Sequence, residues 1–145
     1  MEVSMNRRNF IKFSSALSIT SITGLYLPNV VFAETDVLNS SLAGKIFYTE
    51  NNPGRWAKKV NGHLPTFFKE NNNLEVTTGH EMNGYKHYII KHMLFDENFN
   101  IVNETMFDPE NDAPVTTHNI SKLKNKIYAL SLCNKHDAWL NVLKV

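Results

Sequence analysis

The 145-residue chain has little of what defines several common protein classes. It has one cysteine, so it can form no disulfide within the chain and has neither a four-cysteine metal centre nor a C-x-x-C-H haem attachment. Lysine and arginine form no long runs and the formal net charge is +1, so nothing favours a nucleic-acid partner. Hydrophobic residues make up 42% and charged residues 20%, as in an ordinary globular protein of one domain.

The N-terminus lacks a long apolar run and has the pattern of an export signal instead. Arg7 and Arg8 are followed closely by Phe-Ile-Lys, the pattern of a twin-arginine signal. The next run, residues 13–27, is rich in serine and threonine and is shorter than the roughly 20 strongly apolar residues of a membrane span. Val-Phe-Ala, ending at Ala33, fits a signal-peptidase site. We therefore predict that residues 1–33 are a cleavable signal peptide rather than a membrane anchor.

This signal has consequences for location, partners and cofactor. The twin-arginine translocase would be a partner during export, and the periplasm would be the destination. That route carries folded proteins and is favoured where a cofactor is loaded before export. A lone thiol is a liability in an oxidising compartment unless a metal occupies it. After the signal we expect a polar N-terminal segment over residues 34–52 and one domain over residues 53–145.

Turn residues divide this domain into short candidate strands at fairly even spacing. No segment keeps a helical period for long, and residues 55–65 are expected to form an irregular loop. A further short strand is possible over residues 45–48. The pattern predicts an all-β fold, an antiparallel sandwich or barrel. The main strands are expected near residues 65–69, 73–79, 87–95, 100–107, 113–120, 125–133 and 138–145.

Five residues at strand ends or in loops form a candidate metal site: His63, His80, His87, Cys133 and His136. Loops are where a sandwich gathers its functional residues. Thiolate and imidazole are ligands of transition metals, and Cys-x-x-His after a buried strand is a common ligand pair. His92 and His118 lie inside strands, and we interpret both as structural.

The motifs around these residues resemble the superoxide reductase family, also called desulfoferrodoxin or neelaredoxin. They are His-Leu-Pro at His63, a histidine pair from His80 to the His-Tyr-Ile that begins at His87, and the segment of residues 127–139, which reads IYALSLCNKHDAW. The resemblance covers most of residues 53–145. It implies an immunoglobulin-like sandwich of about seven strands.

The resemblance also implies a ligand set and an activity. One iron would be held by four equatorial histidines, His63, His80, His87 and His136, and by Cys133 as the axial thiolate. The single cysteine means that the four-cysteine iron domain of longer desulfoferrodoxins is absent, so the chain is similar to the single-iron form. Superoxide would be the substrate, an unidentified donor would supply electrons, and a homo-oligomer is expected because the small family members are commonly dimers or tetramers.

Such ligands suit the chemistry. Four neutral imidazoles and one thiolate leave one octahedral position of Fe(II) open, with a net charge of about +1 that favours an anion. A thiolate opposite that position pushes electron density onto the metal. One electron and two protons convert superoxide to hydrogen peroxide.

The chain departs from the family immediately before His63. Family members carry Glu-Lys there, where the lysine steers superoxide and the glutamate can become a sixth ligand. Here Asn61 and Gly62 take those positions. We therefore expect no carboxylate near the open position, and we consider Lys58, Lys59 and Lys135 as steering lysines. The segment between His80 and His87 is also one residue longer than usual, which Gly84 could absorb.

Two other functions fit part of this pattern. One is a non-catalytic iron redox or partner module with little turnover of superoxide. The other is a blue-copper electron carrier, which also uses a cysteine and two histidines in a sandwich. No methionine follows His136, and the methionines at 82, 93 and 106 lie in other segments. Five candidate ligands also exceed what copper needs.

Overall fold

The structure is a computed structural model that describes residues 36–145; the predicted signal peptide over residues 1–33 lies outside them. Eight strands and one short α-helix make up most of the regular structure. The helix, α1, spans Val60–His63. The strands are β1 (Phe47–Tyr48), β2 (Thr66–Glu70), β3 (Asn73–Thr77), β4 (Ile89–Phe95), β5 (Ile101–Met106), β6 (Val115–Asn119), β7 (Lys126–Cys133) and β8 (Asp137–Lys144).

The strands form two sheets, which confirms the predicted all-β sandwich. One sheet has the order β1-β8-β7-β4-β5 and the other the order β2-β3-β6. All seven main predicted strands are present, as is the possible short strand near residues 45–48. The expectation of a wholly antiparallel fold is wrong in one place, because β1 pairs with β8 in parallel, with Tyr48 opposite Trp139.

The core lies between the sheets and follows from the alternation along each strand. In β3, Leu74 and Val76 are buried while their neighbours are exposed, because successive side chains point to opposite faces. In β7, Ile127 and Ala129 point inward in the same way, and Cys133 lies on that face. The main cluster of buried apolar residues is Leu74, Val76, Leu94, Ile120, Ile127 and Ala129.

Residues 54–63 are helical, so the expected irregular loop over residues 55–65 was wrong. A 3₁₀ segment spans Gly54–Lys59 and leads into α1. Its start requires glycine, because Gly54 has φ of 47° and a Cβ there would lie 2.3 Å from the Gly44 carbonyl oxygen. Two helical segments this short are too short to show a helical period of apolar residues in the sequence. They form because Trp56 and Val60 pack against a cluster of Tyr48, Leu64 and Trp139.

Two further 3₁₀ turns, Val37–Asn39 and Gly84–Lys86, complete the helical segments of the described chain. Over residues 36–145 there is no helix with the length and apolar character needed to cross a membrane.

Candidate metal centre

The structure brings the five predicted ligands together at one end of the sandwich. One donor atom from each of His63, His80, His87, Cys133 and His136 lies within 4.8 Å of every other. His63 comes from the connection between β1 and β2, His80 and His87 come from the connection between β3 and β4, and the other two flank the β7–β8 turn. Only the fold makes them neighbours, because up to 73 positions separate them in the chain.

His63 is held by the helix that it ends. Its ring is 4% exposed, and Nδ1 lies 2.9 Å from the Lys59 carbonyl oxygen. A carbonyl can only accept a hydrogen bond, so Nδ1 carries the hydrogen and Nε2 presents a lone pair. A backbone contact of this kind commonly fixes the tautomer of a metal-binding histidine.

His80 and His87 lie on the connection between β3 and β4. The His80 N–H donates to the Thr78 carbonyl at 2.7 Å, and the Asn83 N–H donates to the His87 carbonyl at 2.9 Å. Between the histidines, Gly84 has φ of 50° in its 3₁₀ turn. A left-handed glycine accommodates a tight turn without strain, as expected for the longer spacing.

Cys133 and His136 flank the turn from β7 to β8, and Asn134 ties this turn to the His87 connection. The Asn134 side chain accepts from the Tyr88 N–H at 3.0 Å and donates to the carbonyls of Tyr85 and Lys86, each at 3.3 Å. Asn134 was not among the predicted functional residues. Its position beside Cys133 was the available signal, because asparagine in turns commonly bonds to the backbone.

The nitrogen–nitrogen distances discriminate between coordination geometries. His136 Nδ1 lies 2.9 Å from His63 Nε2 and 3.0 Å from His87 Nε2, and His87 Nε2 lies 3.0 Å from His80 Nε2. With metal–nitrogen bonds of about 2.1 Å, adjacent ligands at right angles are about 3.0 Å apart and tetrahedral ligands about 3.4 Å apart. The four nitrogens therefore fit the equatorial square of an octahedral site better than a tetrahedral site.

The sulfur of Cys133 lies beside the same four nitrogens. Cys133 Sγ lies 3.8 Å from His80 Nε2 and 3.7 Å from His136 Nδ1, which occupy opposite corners of the square. A sulfur at similar distances from these two nitrogens could be a fifth ligand of the same cation. The donor set, nitrogen with one thiolate, suits a transition metal such as iron.

Hydrogen bonds among the imidazoles are a poor alternative to a metal. Because His63 Nε2 is an acceptor, the Nδ1 hydrogen of His136 would have to be shared between His63 and His87. Protonating the rings is unfavourable, since burial lowers the pKa of His63 to about 4 and is also the main cause that lowers the pKa of His80, His87 and His136. Neutral rings with converging lone pairs are a site for a cation.

The thiol of Cys133 is set up differently. Burial raises its pKa, while the Lys135 N–H donates to Sγ at 3.4 Å and lowers it. A bound cation would stabilise the thiolate in this buried position. Cys133 packs with Ile89 and Phe107, and Met82 packs against that cluster.

A pocket of about 260 Å³ opens beside three of the histidines. Its wall includes Lys58, Lys59 and Glu81. Lys135 is not part of this wall, although its positive charge lowers the pKa of His87. The expectation of no carboxylate near the site was wrong, because Glu81, the residue after His80, lines this pocket. That expectation rested on the positions before His63 alone.

The two remaining histidines lie outside the ligand cluster, in agreement with their structural interpretation. His92 is 3% exposed and hydrogen-bonds to Thr78 and Thr116. His118 is half-buried and also contacts Thr116.

Comparison with solved structures identifies the fold. Superoxide reductase (neelaredoxin) from Ignicoccus hospitalis matches with a TM-score of 0.57 and 23% identity, over 70% of this chain and 95% of that chain. A variant of that protein gives a TM-score of 0.62 and 24% identity, over 70% and 94%. Superoxide reductase (1Fe-SOR) from Giardia intestinalis gives 0.52 and 22%, over 59% and 99%. No protein-family model and no curated protein sequence matches the chain. The domain therefore has the fold of superoxide reductases.

Proposed function

We propose that this protein is an exported superoxide reductase with one non-haem iron, held by His63, His80, His87, His136 and Cys133. The arrangement of the donors is the observation that carries the proposal: four imidazole nitrogens at right-angle spacing, with the cysteine sulfur beside them. The likeness of the fold to superoxide reductases supports it. When bound, iron would supply the electron that, with two protons, converts superoxide to hydrogen peroxide.

The pocket residues have a role in bringing the substrate to the site. Superoxide is a small anion, and the ammonium groups of Lys58 and Lys59 in the pocket wall attract it. Glu81 in the same wall opposes that attraction. Lys135 acts on the site mainly through its N–H, which donates to Cys133 Sγ.

Export to the periplasm by the twin-arginine translocase is part of the proposal and rests on the sequence of residues 1–33. The buried thiol gives it a physical rationale. A metal bound to Cys133 before export would protect the only cysteine from oxidation.

The arrangement disfavours a blue-copper site. Such sites use two histidines and a cysteine in a trigonal plane with a weak axial ligand. Here four histidine nitrogens converge beside the sulfur, one more than the three nitrogen and sulfur donors of such a plane. The non-catalytic iron module uses the same ligands, so activity must separate it from the reductase.

One preparation tests these functions. The full chain is purified aerobically, its metal is measured, and its visible spectrum is recorded before and after adding superoxide. We expect one iron per chain, with a thiolate-to-Fe(III) band in the oxidised form. Reduced protein should consume superoxide and form hydrogen peroxide. Copper with an intense blue colour would overturn the proposal, and iron that does not react with superoxide would favour the non-catalytic module.

A further inference from the structure

A second buried polar cluster lies between the two sheets, next to the candidate metal centre. Its members are mutually hydrogen-bonded and come from both sheets and from the connection after β3. The exposed fractions of Thr78, His92, Thr116 and Ser131 are 2%, 3%, 7% and 0%. Buried polar groups on this scale are costly unless they are satisfied, so the contacts of each member are informative.

The hydrogen bonds of this cluster have a defined direction. Thr78 donates its hydroxyl hydrogen to Ser131 Oγ at 2.9 Å, so its oxygen accepts from His92 Nε2 at 2.8 Å. In a neutral ring His92 Nδ1 is then an acceptor, and Thr116 donates to it at 3.2 Å. Thr116 in turn accepts from His118 Nε2 at 2.9 Å. One neutral tautomer of His92 satisfies the whole series.

Two members lie two residues before a proposed ligand. Ser131 and Cys133 share the inner face of β7, since side chains two apart point the same way. The main-chain carbonyl of Thr78 accepts a hydrogen bond from the His80 N–H at 2.7 Å, while the Thr78 N–H donates to the Pro114 carbonyl at 3.0 Å. The cluster is thus joined to the backbone of both His80 and Cys133.

The ring of His80 lacks the backbone anchor that the ring of His63 has. Among the described residues its buried Nδ1 makes no well-formed hydrogen bond, although the Glu81 backbone lies close enough to act against the lowering of the His80 pKa. His63, by contrast, is oriented through its own ring by the Lys59 carbonyl. The backbone anchor at Thr78 is therefore the nearby restraint that can hold His80 in place.

We infer that Thr78, with His92 and Ser131, is a positioning residue that fixes His80 against Cys133 in the metal centre. The inference rests on the proposed function, because it concerns the proposed ligands. Outer contacts of this kind typically change metal affinity by about 10- to 100-fold when they are removed.

The test uses two matched substitutions in the full chain. Thr78→Val and Thr116→Val each remove one buried hydroxyl that bonds to His92, but only Thr78 is joined to a ligand. We expect Thr78→Val to speed the release of iron to a chelator by about tenfold and to shift the thiolate-to-Fe(III) band. Thr116→Val should lose a similar amount of stability but keep the rate of iron release and the position of the band close to those of wild type. Thr78→Ser keeps the hydroxyl and should therefore release iron as slowly as wild type does. Equal release from the two valine variants would overturn the inference.

Two further measurements keep the test decisive. If Thr78→Val does not fold, Ser131→Ala removes the other end of the same hydrogen bond, and it too should release iron faster. If wild-type protein binds no iron, the proposed function fails, but the metal-free chain still tests the positioning role. Imidazole NMR resonances of His80 should be single in wild type and in Thr116→Val, and multiple or broadened in Thr78→Val. Unchanged resonances would refute that role.

Discussion

The indole of Trp56 lies edge-on to the imidazole of His136, with ring centroids 4.6 Å apart and planes at 86°. The indole N–H also donates to Asp137 Oδ2 at 2.9 Å, so the same side chain contacts a proposed ligand and its neighbour. On the other side, the indole N–H of Trp139 donates to the His136 carbonyl at 2.9 Å. The helical segment that begins at Gly54 thus forms one wall around His136.

Replacing Trp56 with alanine should weaken the metal centre as well as the fold. The wall beside His136 is lost, and iron affinity should fall about tenfold because the ring is no longer oriented. Lost packing should lower the free energy of unfolding by about 3 kcal/mol. Iron affinity is measured by competition with a chelator and stability by urea denaturation.

Arg55→Ala is the matched control for Trp56. Arg55 also bonds to Asp137 Oδ2, at 2.5 Å, but its side chain is 65% exposed. Exposed ion pairs contribute less than about 1 kcal/mol, so this variant should stay near wild type in both measurements. A Trp56→Ala protein that loses stability but keeps full iron affinity would show that Trp56 supports only the fold.

Cys133→Ser should abolish the thiolate-to-Fe(III) band, since the oxygen that replaces sulfur has no transition of that kind. The three residues after it should keep their turn, because Asn134 holds them through its own contacts with Tyr85, Lys86 and Tyr88. The visible spectrum of the iron-loaded variant is the measurement, and circular dichroism checks the fold. Persistence of the band would remove Cys133 from the ligand set.

The double variant Lys58→Ala, Lys59→Ala should react with superoxide about tenfold more slowly at low ionic strength. Both lysines line the pocket, and without them the attraction for an anion is lost. The difference should shrink as salt is added, because salt screens exposed charges. Pulse radiolysis at several ionic strengths measures the rate.

Lys122→Ala, Lys124→Ala is the control with the same change in net charge. These lysines lie in the turn before β7, at the end opposite Cys133. Lys135→Ala should also have a smaller effect than the pocket variant, because its side chain is not in the pocket wall. If both double variants slow the reaction equally, overall charge rather than the pocket governs the rate.

Glu81→Gln should have the opposite effect and raise the rate by a few-fold at low ionic strength. The carboxylate opposes the lysines in the pocket wall, and its negative charge raises the pKa of His87 against the other influences on that ring. Glu70→Gln, at the distant β2–β3 turn, removes the same charge and should leave the rate of reaction with superoxide unchanged. A slower reaction in Glu81→Gln would mean that the carboxylate assists the reaction.

The sequence predicted the strands and the ligand cluster well because both depend on local signals. Alternation and turn residues define β3 and β7, and the spacing of Cys133 and His136 places both at one turn. The helical segment at Gly54 was missed because its cause is distant: Gly54 approaches Gly44, and Trp56 packs against β1 and β8. Glu81 was missed for a similar reason, since its place in the pocket depends on how two connections meet. The parallel pairing of β1 also has no local signature, because two residues carry it.

The stability of the metal-free chain should depend on pH through His92. Burial, and then the charge of His118, lower its pKa to about 4, from 6.5 in the unfolded chain. Between these values the unfolded state binds a proton that the native state excludes, so stability falls as pH decreases from about 6.5 to about 4. The loss from His92 would reach about 3 kcal/mol, and below pH 4 this dependence ends because the native state also binds the proton.

Denaturation of metal-free wild type and His92→Gln over this range isolates the effect. Glutamine cannot titrate, so the difference in unfolding free energy between the two proteins should be largest near neutral pH and should narrow towards pH 4. The pocket histidines contribute equally to the pH dependence of unfolding in both proteins, so their contributions cancel in the difference. The groups that contact the His92 ring, Thr78, Thr116 and Phe107, are uncharged, which leaves His118 as the charged group to consider. If the difference in unfolding free energy does not vary with pH, His92 binds its proton equally well in the native and unfolded states. The assignment of a single neutral tautomer to His92 in the buried cluster would then be wrong.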